Sequence, residues 1–278
     1  MSRVIIANPT GFCFGVRRAI EALEDILTKR GLVYCIGMPI HNPQEVDRLV
    51  RKGLVVVDSP ELVPPSSQVF VRAHGISPTL FSVLKQRSAC VIDGTCPFVK
   101  KAQERAKHLA ESGYLVCIVG DASHPEVKAL LGTVGGHAIV VRNINQAKDI
   151  GKISKLGVIS QTTQDEKDFS SIVAELTLHT KDMRIYNTIC NATRARQNAT
   201  RELAKVVEGI IVIGGRNSAN TGKLYDIAKS TGVDVVWIEH AQELDRGWLS
   251  GKARIGIAAG ASTPDWLIHQ LKQTMAIT

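Results

Sequence analysis

The segment RVIIANPTGFCFGVRRAIEAL, residues 3–23, contains a strand pattern, a glycine-rich loop and a helix pattern in immediate succession. β-Branched residues open it, Gly11 and Gly15 flank Cys13 in the loop, and apolar residues then recur every three or four positions. A strand that leads through a loop into a helix is typical of parallel α/β sheets, where residues after the strand line the binding edge. Cys13 is therefore a candidate ligand.

Two further cysteines lie in the same context. Cys96 in DGTCPFVKK and Cys190 in ICNATRARQ each follow a short apolar run and precede a helical pattern. The intervals from Cys13 to Cys96 and from Cys96 to Cys190 are 83 and 94 residues, and 88 residues follow Cys190. This nearly constant spacing predicts three copies of one structural unit.

Each copy also places a polar residue after two other predicted strands. The first of these strands is followed by His41, His124 and Asn220, which lie 28, 28 and 30 residues after the preceding cysteine. The second is followed by His74, by Thr162 or Thr163, and by Ser262. The carboxyl ends of parallel strands share one edge of a sheet. We therefore expect the thiols and these polar side chains to face one central cavity.

The predicted fold class is α/β, with three similar domains in a pseudo-threefold, trefoil arrangement around that cavity. The predicted domains are residues 14–96, residues 97–189, and a discontinuous domain formed by 190–278 together with 1–13. The third copy lacks a closing strand of its own, and RVIIANPTGFC at the N-terminus is predicted to supply it.

The composition argues against two classes of protein, those that bind nucleic acids and those that are bound to membranes. The chain has a net charge of +8, but it contains no long basic run and no basic stretch interleaved with aromatic residues. We therefore expect no nucleic-acid partner. No apolar run is long enough to span a bilayer, and the N-terminus has no signal-peptide pattern. We therefore expect a cytoplasmic protein, not bound to a membrane, whose cysteines are thiols or metal ligands.

The six cysteines divide into two groups. Cys35, Cys90 and Cys117 lie inside short apolar runs and are predicted to be buried core residues. Cys13, Cys96 and Cys190 precede helices, whose N-termini stabilise thiolates. Structural zinc usually takes closely spaced cysteine pairs, whereas these three are over 80 residues apart. An iron–sulfur cluster with three thiolate ligands and one open iron is favoured, and zinc is the alternative.

Two further features suggest an anionic substrate and a proton donor. GGRNSAN, residues 214–220, precedes a helical pattern, and its N–H groups and hydroxyls suit phosphate oxygens. Glu126 lies two residues after His124 near a predicted helix start. The carboxylate there either favours the helix N-terminus or, if buried with a raised pKa, delivers a proton.

At this point the sequence resembles the 4-hydroxy-3-methylbut-2-enyl diphosphate reductase family, the last enzymes of the methylerythritol phosphate route to isoprenoids. The resemblance covers essentially the whole chain. It rests on nine segments: NPTGFCFGVRRAI, HNPQEV, RAHGIS, DGTCPFVKK, SHPEV, SQTT, ICNATRARQ, GGRNSAN and AGASTPDWL. The family commonly has a second serine where this chain has Ala219, so a backbone N–H is expected to replace one hydroxyl contact.

The resemblance implies a three-domain α/β trefoil around a [4Fe–4S] cluster held by Cys13, Cys96 and Cys190. It implies that Glu126 relays a proton and that Thr162 orients the substrate hydroxyl. The implied contacts to the substrate and its diphosphate are His41, His74, His124, Gln161, Thr162, Asn217, Ser218, Ala219, Asn220 and Ser262.

The implied reaction is a two-electron reductive dehydroxylation that yields isopentenyl and dimethylallyl diphosphate. The chain has no P-loop and no G-x-G-x-x-G fingerprint, so we expect electrons from an acidic ferredoxin or flavodoxin, delivered to a monomer. Two alternatives remain open: a three-cysteine dehydratase or synthase of the quinolinate synthase type, and a non-catalytic redox sensor built on a cluster.

Overall fold

The computed structural model describes residues 3–88 and 90–276, which form three parallel four-stranded sheets with helices. The strands are β1 Arg3–Ile6, β2 Val33–Ile36, β3 Leu54–Val57, β4 Gln68–Val71, β5 Cys90–Asp93, β6 Leu115–Val119, β7 Ala138–Val141, β8 Ile153–Ser160, β9 Thr180–Tyr186, β10 Gly209–Ile213, β11 Asp234–Ile238 and β12 Arg254–Ala259. The predicted α/β class is confirmed.

Eleven α-helices and two short 3₁₀ helices (Pro60–Leu62 and Ala241–Glu243) occur in the described part of the chain. The α-helices are α1 Phe14–Arg30, α2 Pro43–Val50, α3 Pro78–Arg87, α4 Pro97–Glu111, α5 Pro125–Thr133, α6 Ile144–Lys148, α7 Glu166–Thr177, α8 Asn191–Ala204, α9 Ala219–Ser230, α10 Arg246–Leu249 and α11 Asp265–Ala276. Pro97 and Pro125 occupy the first helical turn, which needs no N–H, so α4 and α5 begin directly after Cys96 and His124.

All three sheets have the same strand order. Sheet one is β11-β10-β12-β1, sheet two is β3-β2-β4-β5 and sheet three is β7-β6-β8-β9. Numbered along each repeat, every sheet therefore runs second, first, third, fourth, and every pair is parallel. In such sheets ligands bind between the first and third strands, where the order reverses.

The N-terminal strand completes the sheet of the C-terminal repeat. β1 pairs in parallel with β12, with Arg3 opposite Arg254 and Ile6 opposite Ile257. The predicted contribution of the N-terminus to the third repeat is thus confirmed. In each sheet a fourth strand leads to one of the cysteines that precede a helix: β5 to Cys96, β9 to Cys190 and β1 to Cys13.

The chain divides into two compact units. One is formed by Met1–Arg17, Ile40–Arg48 and Asn191–Thr278, as far as these segments are described, and contains sheet one. The other is formed by Arg18–Pro39 and Leu49–Cys190 and contains sheets two and three. The boundaries of the three sequence-derived domains remain a prediction.

The cores consist mainly of Val, Ile, Leu and Ala, and two of the three cysteines predicted to be buried belong to them. Cys35 in β2 and Cys117 in β6 have no exposed surface. The prediction for Cys90 is wrong, because its side chain is exposed. Cys90 is the first residue of β5, and β5 is an edge strand of sheet two. One side of β5 therefore has no neighbouring strand in this sheet, and Cys90 stays exposed.

Candidate active site

The three cysteines predicted as ligands are held by equivalent backbone hydrogen bonds. The amide of Cys13 donates to the carbonyl of Ala261, that of Cys96 to Ala73 and that of Cys190 to Thr162, each at 3.0 Å. Every acceptor lies in the loop after the third strand of the same sheet. Each thiol is therefore fixed at the carboxyl edge of its sheet, beside the loop that carries a polar residue predicted to bind substrate.

Burial separates these thiols from the core cysteines. Cys13, Cys96 and Cys190 are partly exposed, whereas Cys35 and Cys117 are buried. Burial raises the pKa of Cys35 and of Cys117 to about 12. Because the thiolate is the metal-binding form, these two core cysteines stay protonated thiols and do not suit ligation.

In the second unit, His124 is both a helix cap and a candidate ligand for an anion. It precedes α5, and its Nδ1 accepts the backbone N–H of Glu126 at 3.1 Å. The neutral imidazole therefore carries its proton on Nε2. The ring of His74 meets that of His124 edge to face, with 5.4 Å between centroids. The histidines that follow β4 and β6 are thus brought together, as the repeat predicts.

Glu126 is almost completely buried and faces Thr162. Its side chain is 2% exposed, and both of its oxygens contact that one residue. The backbone N–H of Thr162 donates to Oε1 at 2.6 Å, and the Thr162 hydroxyl lies 2.8 Å from Oε2. A carboxyl proton on Oε2 would turn this hydroxyl into an acceptor and direct the hydroxyl's own hydrogen onward. This geometry is compatible with the predicted proton relay.

Burial raises the pKa of Glu126 from 4.5 to about 7, and it outweighs the two hydrogen bonds from Thr162, which act in the opposite direction. Within residues 3–88 and 90–276, no cation offsets the cost of desolvating the charge. A carboxyl group that titrates near neutrality suits general acid catalysis at physiological pH. This favours the proton-donor interpretation over a role confined to the helix N-terminus.

Gln161 precedes Thr162 and braces the same loop. Its Oε1 accepts the N–H of Asp121 at 3.1 Å, and its Nε2 donates to the hydroxyl of Thr163 at 2.9 Å. Both ends of the amide are therefore engaged in joining the loop after β6 to the loop after β8. A direct contact from Gln161 to substrate remains a prediction.

In the first unit, His41 and Ser262 lie together. The Ser262 hydroxyl donates to the carbonyl of His41 at 2.9 Å. A Cβ added to Gly215 would lie 2.6 Å from the same carbonyl, so only glycine allows this approach. The loop after β12, the segment that carries His41 and the glycine-rich loop after β10 therefore meet around one peptide group.

The glycine-rich loop has the features of an anion site. Ser218 caps α9, since its oxygen accepts the N–H of Thr221 at 3.3 Å, and its hydroxyl hydrogen stays available. Ala219 is the first residue of the helix, where its N–H needs no helical partner, and Asn217 is exposed. Asn220 is buried, and neither polar atom of its amide has a hydrogen-bond partner within the described residues. Such an orphaned amide fits a polar ligand.

Sequence reasoning missed the ion pair that holds the His41 segment. Glu45, which is 1% exposed, accepts Nε of Arg48 at 2.9 Å and the indole N–H of Trp266 at 3.0 Å. Its backbone N–H donates to Asn42, the residue after His41. The available signal was the likeness of HNPQEV to SHPEV, in which a buried carboxylate also follows a histidine and a proline.

A model of the LytB protein family matches residues 4–276 of this sequence. The chain belongs to the LytB family. Its LytB relatives include 4-hydroxy-3-methylbut-2-enyl diphosphate reductases from Aquifex aeolicus, 43% identical, and Geobacter sulfurreducens, 41% identical. These alignments cover 98% and 96% of this chain, and 95% of each relative.

Two solved structures are also similar to this chain. A structure of (E)-4-hydroxy-3-methyl-but-2-enyl diphosphate reductase, described as the terminal enzyme of the non-mevalonate pathway, is 41% identical, with a TM-score of 0.72 and full coverage of both chains. The Plasmodium falciparum enzyme is 27% identical over 99% of this chain and 87% of its own, with a TM-score of 0.92. LytB proteins are iron–sulfur enzymes. These relatives do not favour a quinolinate synthase type enzyme or a redox sensor.

No helix among residues 3–88 and 90–276 is long and apolar enough to cross a membrane.

Proposed function

We propose that this LytB protein reduces 4-hydroxy-3-methylbut-2-enyl diphosphate to isopentenyl and dimethylallyl diphosphate. The observation that carries the proposal is the buried pair of Glu126 and Thr162. Burial raises the pKa of Glu126 to about 7, so its carboxyl group can give a proton to a leaving hydroxyl. The reaction consumes two electrons and two protons: one proton leaves with the hydroxyl as water, and the other is added to carbon. The names of its relatives support the same substrate.

We propose that Cys13, Cys96 and Cys190 bind one [4Fe–4S] cluster. The three thiols are partly exposed, and each follows the fourth strand of a sheet, where an equivalent hydrogen bond from its backbone amide fixes its position. This arrangement fits a site with three thiolates. When bound, such a cluster supplies electrons one at a time, and its open iron provides a Lewis-acid position. A zinc site would not account for the electrons that the reaction requires.

The proposal extends to the residues that contact the substrate. His41, His74 and His124 are proposed to bind the diphosphate, together with Ser218, Asn220 and Ser262. The tautomer fixed by its capping bond lets His124 donate from Nε2 to a phosphate oxygen. Asn217 and Ala219 contribute to the same anion site, and Gln161 holds Thr162 in place. The protein is proposed to act as a monomer.

The test is anaerobic. The protein is reconstituted with iron and sulfide, reduced with methyl viologen and supplied with 4-hydroxy-3-methylbut-2-enyl diphosphate. Rapid oxidation of the dye, with formation of both five-carbon diphosphates, is expected. A protein with a full cluster that leaves the dye reduced would contradict the proposed reaction.

Turnover is expected to fall as the pH rises above about 7, because Glu126 then loses the proton it delivers. The measurement is kcat between pH 5 and 9, values chosen to lie about two units either side of that pKa. Glu21→Gln, a change at an exposed carboxylate, is the control and should leave the profile unchanged. A rate that stays constant across this range would remove Glu126 as the acid in the rate-limiting step.

Replacing Asn220 with alanine is expected to weaken substrate binding by about tenfold to a hundredfold, since hydrogen bonds to charged groups contribute roughly 1.5–3 kcal/mol. Stability without substrate should change little, because the buried amide makes no hydrogen bond within the described residues. KM and thermal unfolding are measured side by side, with Asn145→Ala at an exposed position as the control. Lower stability with unchanged KM would assign Asn220 to the fold instead.

A further inference from the structure

One face of sheet three carries more basic than acidic side chains. We call it the α4–β9 face and define it by four cations and two aromatic rings: Lys101, Arg105, Lys155, Arg184, Tyr114 and Tyr186. The four cations are exposed, and none of them forms an ion pair within the described part of the chain. By contrast, Lys100 in the same helix is paired with Asp93 at 2.6 Å.

The α4–β9 face is continuous. A Cβ added to Gly157 in β8 would meet Leu109 of α4, so this helix packs on the face of the sheet to which residue 157 points. Lys155 lies two residues earlier on β8 and points the same way, since side chains alternate along a strand. Arg184 is paired with Gly157 across the β8–β9 ladder. The helix and the two strands therefore present their cations on one side.

Aromatic rings hold three of the four cations in place without neutralising them. Arg105 lies over Tyr186, 4.7 Å from the ring centroid. Arg184 and Lys155 both lie over Tyr114, at 5.0 and 5.8 Å. A cation on a ring keeps its full charge, whereas a carboxylate partner would cancel it. The positive field of the α4–β9 face is therefore fixed in position and available to a partner.

The surface beside α4 also has an open, shallow depression. Its volume is about 480 Å³, and it is lined by Pro97, Lys101, Glu104, Arg105 and His108. Two carboxylates lie close to the cations, Glu104 and Asp182. Asp182 accepts the hydroxyl of Tyr114 at 3.2 and 3.1 Å. With four lysine or arginine cations against two carboxylates, the net charge of this surface is positive.

The face lies next to two of the proposed cluster ligands. Cys96 is the residue that precedes α4, so Lys101 and Arg105 follow it by about 8 and 14 Å along the helix axis. At the other side, β9 ends at Tyr186, four residues before Cys190. A protein bound to the α4–β9 face therefore comes close to the chain segments that hold the cluster. Electron transfer requires such a short approach.

We propose that the α4–β9 face is the docking surface for the electron donor, an acidic one-electron carrier protein of the ferredoxin or flavodoxin class. The proposal rests on the proposed function. Two encounters are needed in each turnover, and each carrier molecule is oxidised by one electron. Complementary charge raises the rate of encounter and orients the partner.

The experiment uses the cluster-loaded protein and a charge-reversal variant, Lys101→Glu/Arg105→Glu. The matched control, Lys148→Glu/Lys272→Glu, changes the net charge equally at exposed positions on α6 and α11. Turnover is measured with a reduced acidic ferredoxin, with a reduced acidic flavodoxin and with reduced methyl viologen. The Kd for each oxidised carrier is measured by calorimetry at several salt concentrations, which requires no turnover.

The Lys101→Glu/Arg105→Glu variant is expected to lose about tenfold or more in kcat/KM for a carrier and in affinity, with a weaker salt dependence. The control should retain both values, and all proteins should turn over equally with methyl viologen. Unchanged carrier affinity in the variant, or an equal loss in the control, would overturn the proposal. So would a parent protein that reacts with methyl viologen but with neither carrier. Failure of the parent with methyl viologen would instead contradict the proposed reaction.

Discussion

Replacing Cys13, Cys96 or Cys190 with serine is expected to abolish cluster binding and to lower turnover by more than about a hundredfold. Each of these thiols sits after the fourth strand of a sheet, where an amide hydrogen bond of 3.0 Å fixes its backbone. Serine keeps that backbone bond and the size of the side chain. It lacks the soft thiolate that iron in these clusters requires.

The matched control is Cys90→Ala. Cys90 is exposed at the start of an edge strand, so its removal leaves no cavity, and cluster content and turnover should stay within about twofold of the parent. Cys35→Ala and Cys117→Ala should also keep the cluster, with some loss of stability because both side chains are buried.

Iron and acid-labile sulfide per chain are measured anaerobically for all six variants, together with thermal unfolding. Equal cluster loss at all six positions would show that the strand-end location does not determine ligation. Full cluster content in any one of the three serine variants would remove that cysteine from the ligand set. If the parent protein contained zinc and no sulfide, the cysteines would form a zinc site instead of a cluster site.

Replacing Glu126 with glutamine is expected to lower kcat by about 10²–10⁴-fold, the usual contribution of general acid catalysis, with KM little changed. The amide can keep both contacts to Thr162, since its oxygen accepts the N–H and its NH₂ group donates to the hydroxyl. The substitution therefore removes the transferable proton and preserves the geometry.

Two measurements separate this role from a structural one. The fall in turnover above pH about 7 should disappear from the residual activity of the variant. Thr162→Val, which keeps the N–H and loses the hydroxyl, should also lower kcat, because the relay is broken at its second member. A Glu126→Gln variant with parental kcat would exclude Glu126 from the mechanism.

The same carboxyl group makes the stability of the fold depend on pH. Its pKa is about 7 in the folded protein against 4.5 in the unfolded chain, so the unfolded chain loses the proton first. The free energy of unfolding should therefore fall between pH 4.5 and 7, by about 3 kcal/mol, and level off above. The Glu126→Gln variant should lack this loss. Denaturant unfolding of both proteins across this range is the measurement.

Repeats in the sequence predicted much of the architecture, because strand, loop and helix signals are local. The spacing of Cys13, Cys96 and Cys190 predicted three equivalent sheets, and β1 closes sheet one as expected. Cys90 shows the limit of such signals. An apolar run indicates a strand, but it does not tell whether neighbouring strands cover both of its sides.

Candidate site residues could be named from the sequence, but the contacts between them could not. The polar residues after the strands were found by their position, but the pairing of Glu126 with Thr162 joins residues 36 apart in sequence. The contact between Glu45 and Trp266 spans 221 residues. Such pairs depend on how α2 and α11 pack, which periodicity within one segment does not encode.

The pairing of β1 with β12 also has a consequence for the order of events during synthesis. Arg3 and Arg254 are partners in this ladder, and the amide that fixes Cys13 binds the carbonyl of Ala261. The chain must therefore be synthesised at least as far as Ala261 before Cys13 reaches its final position. We expect the segments that carry Cys96 and Cys190 to fold earlier, because their partners Ala73 and Thr162 precede them in the sequence, so a cofactor that binds all three thiols would be inserted late.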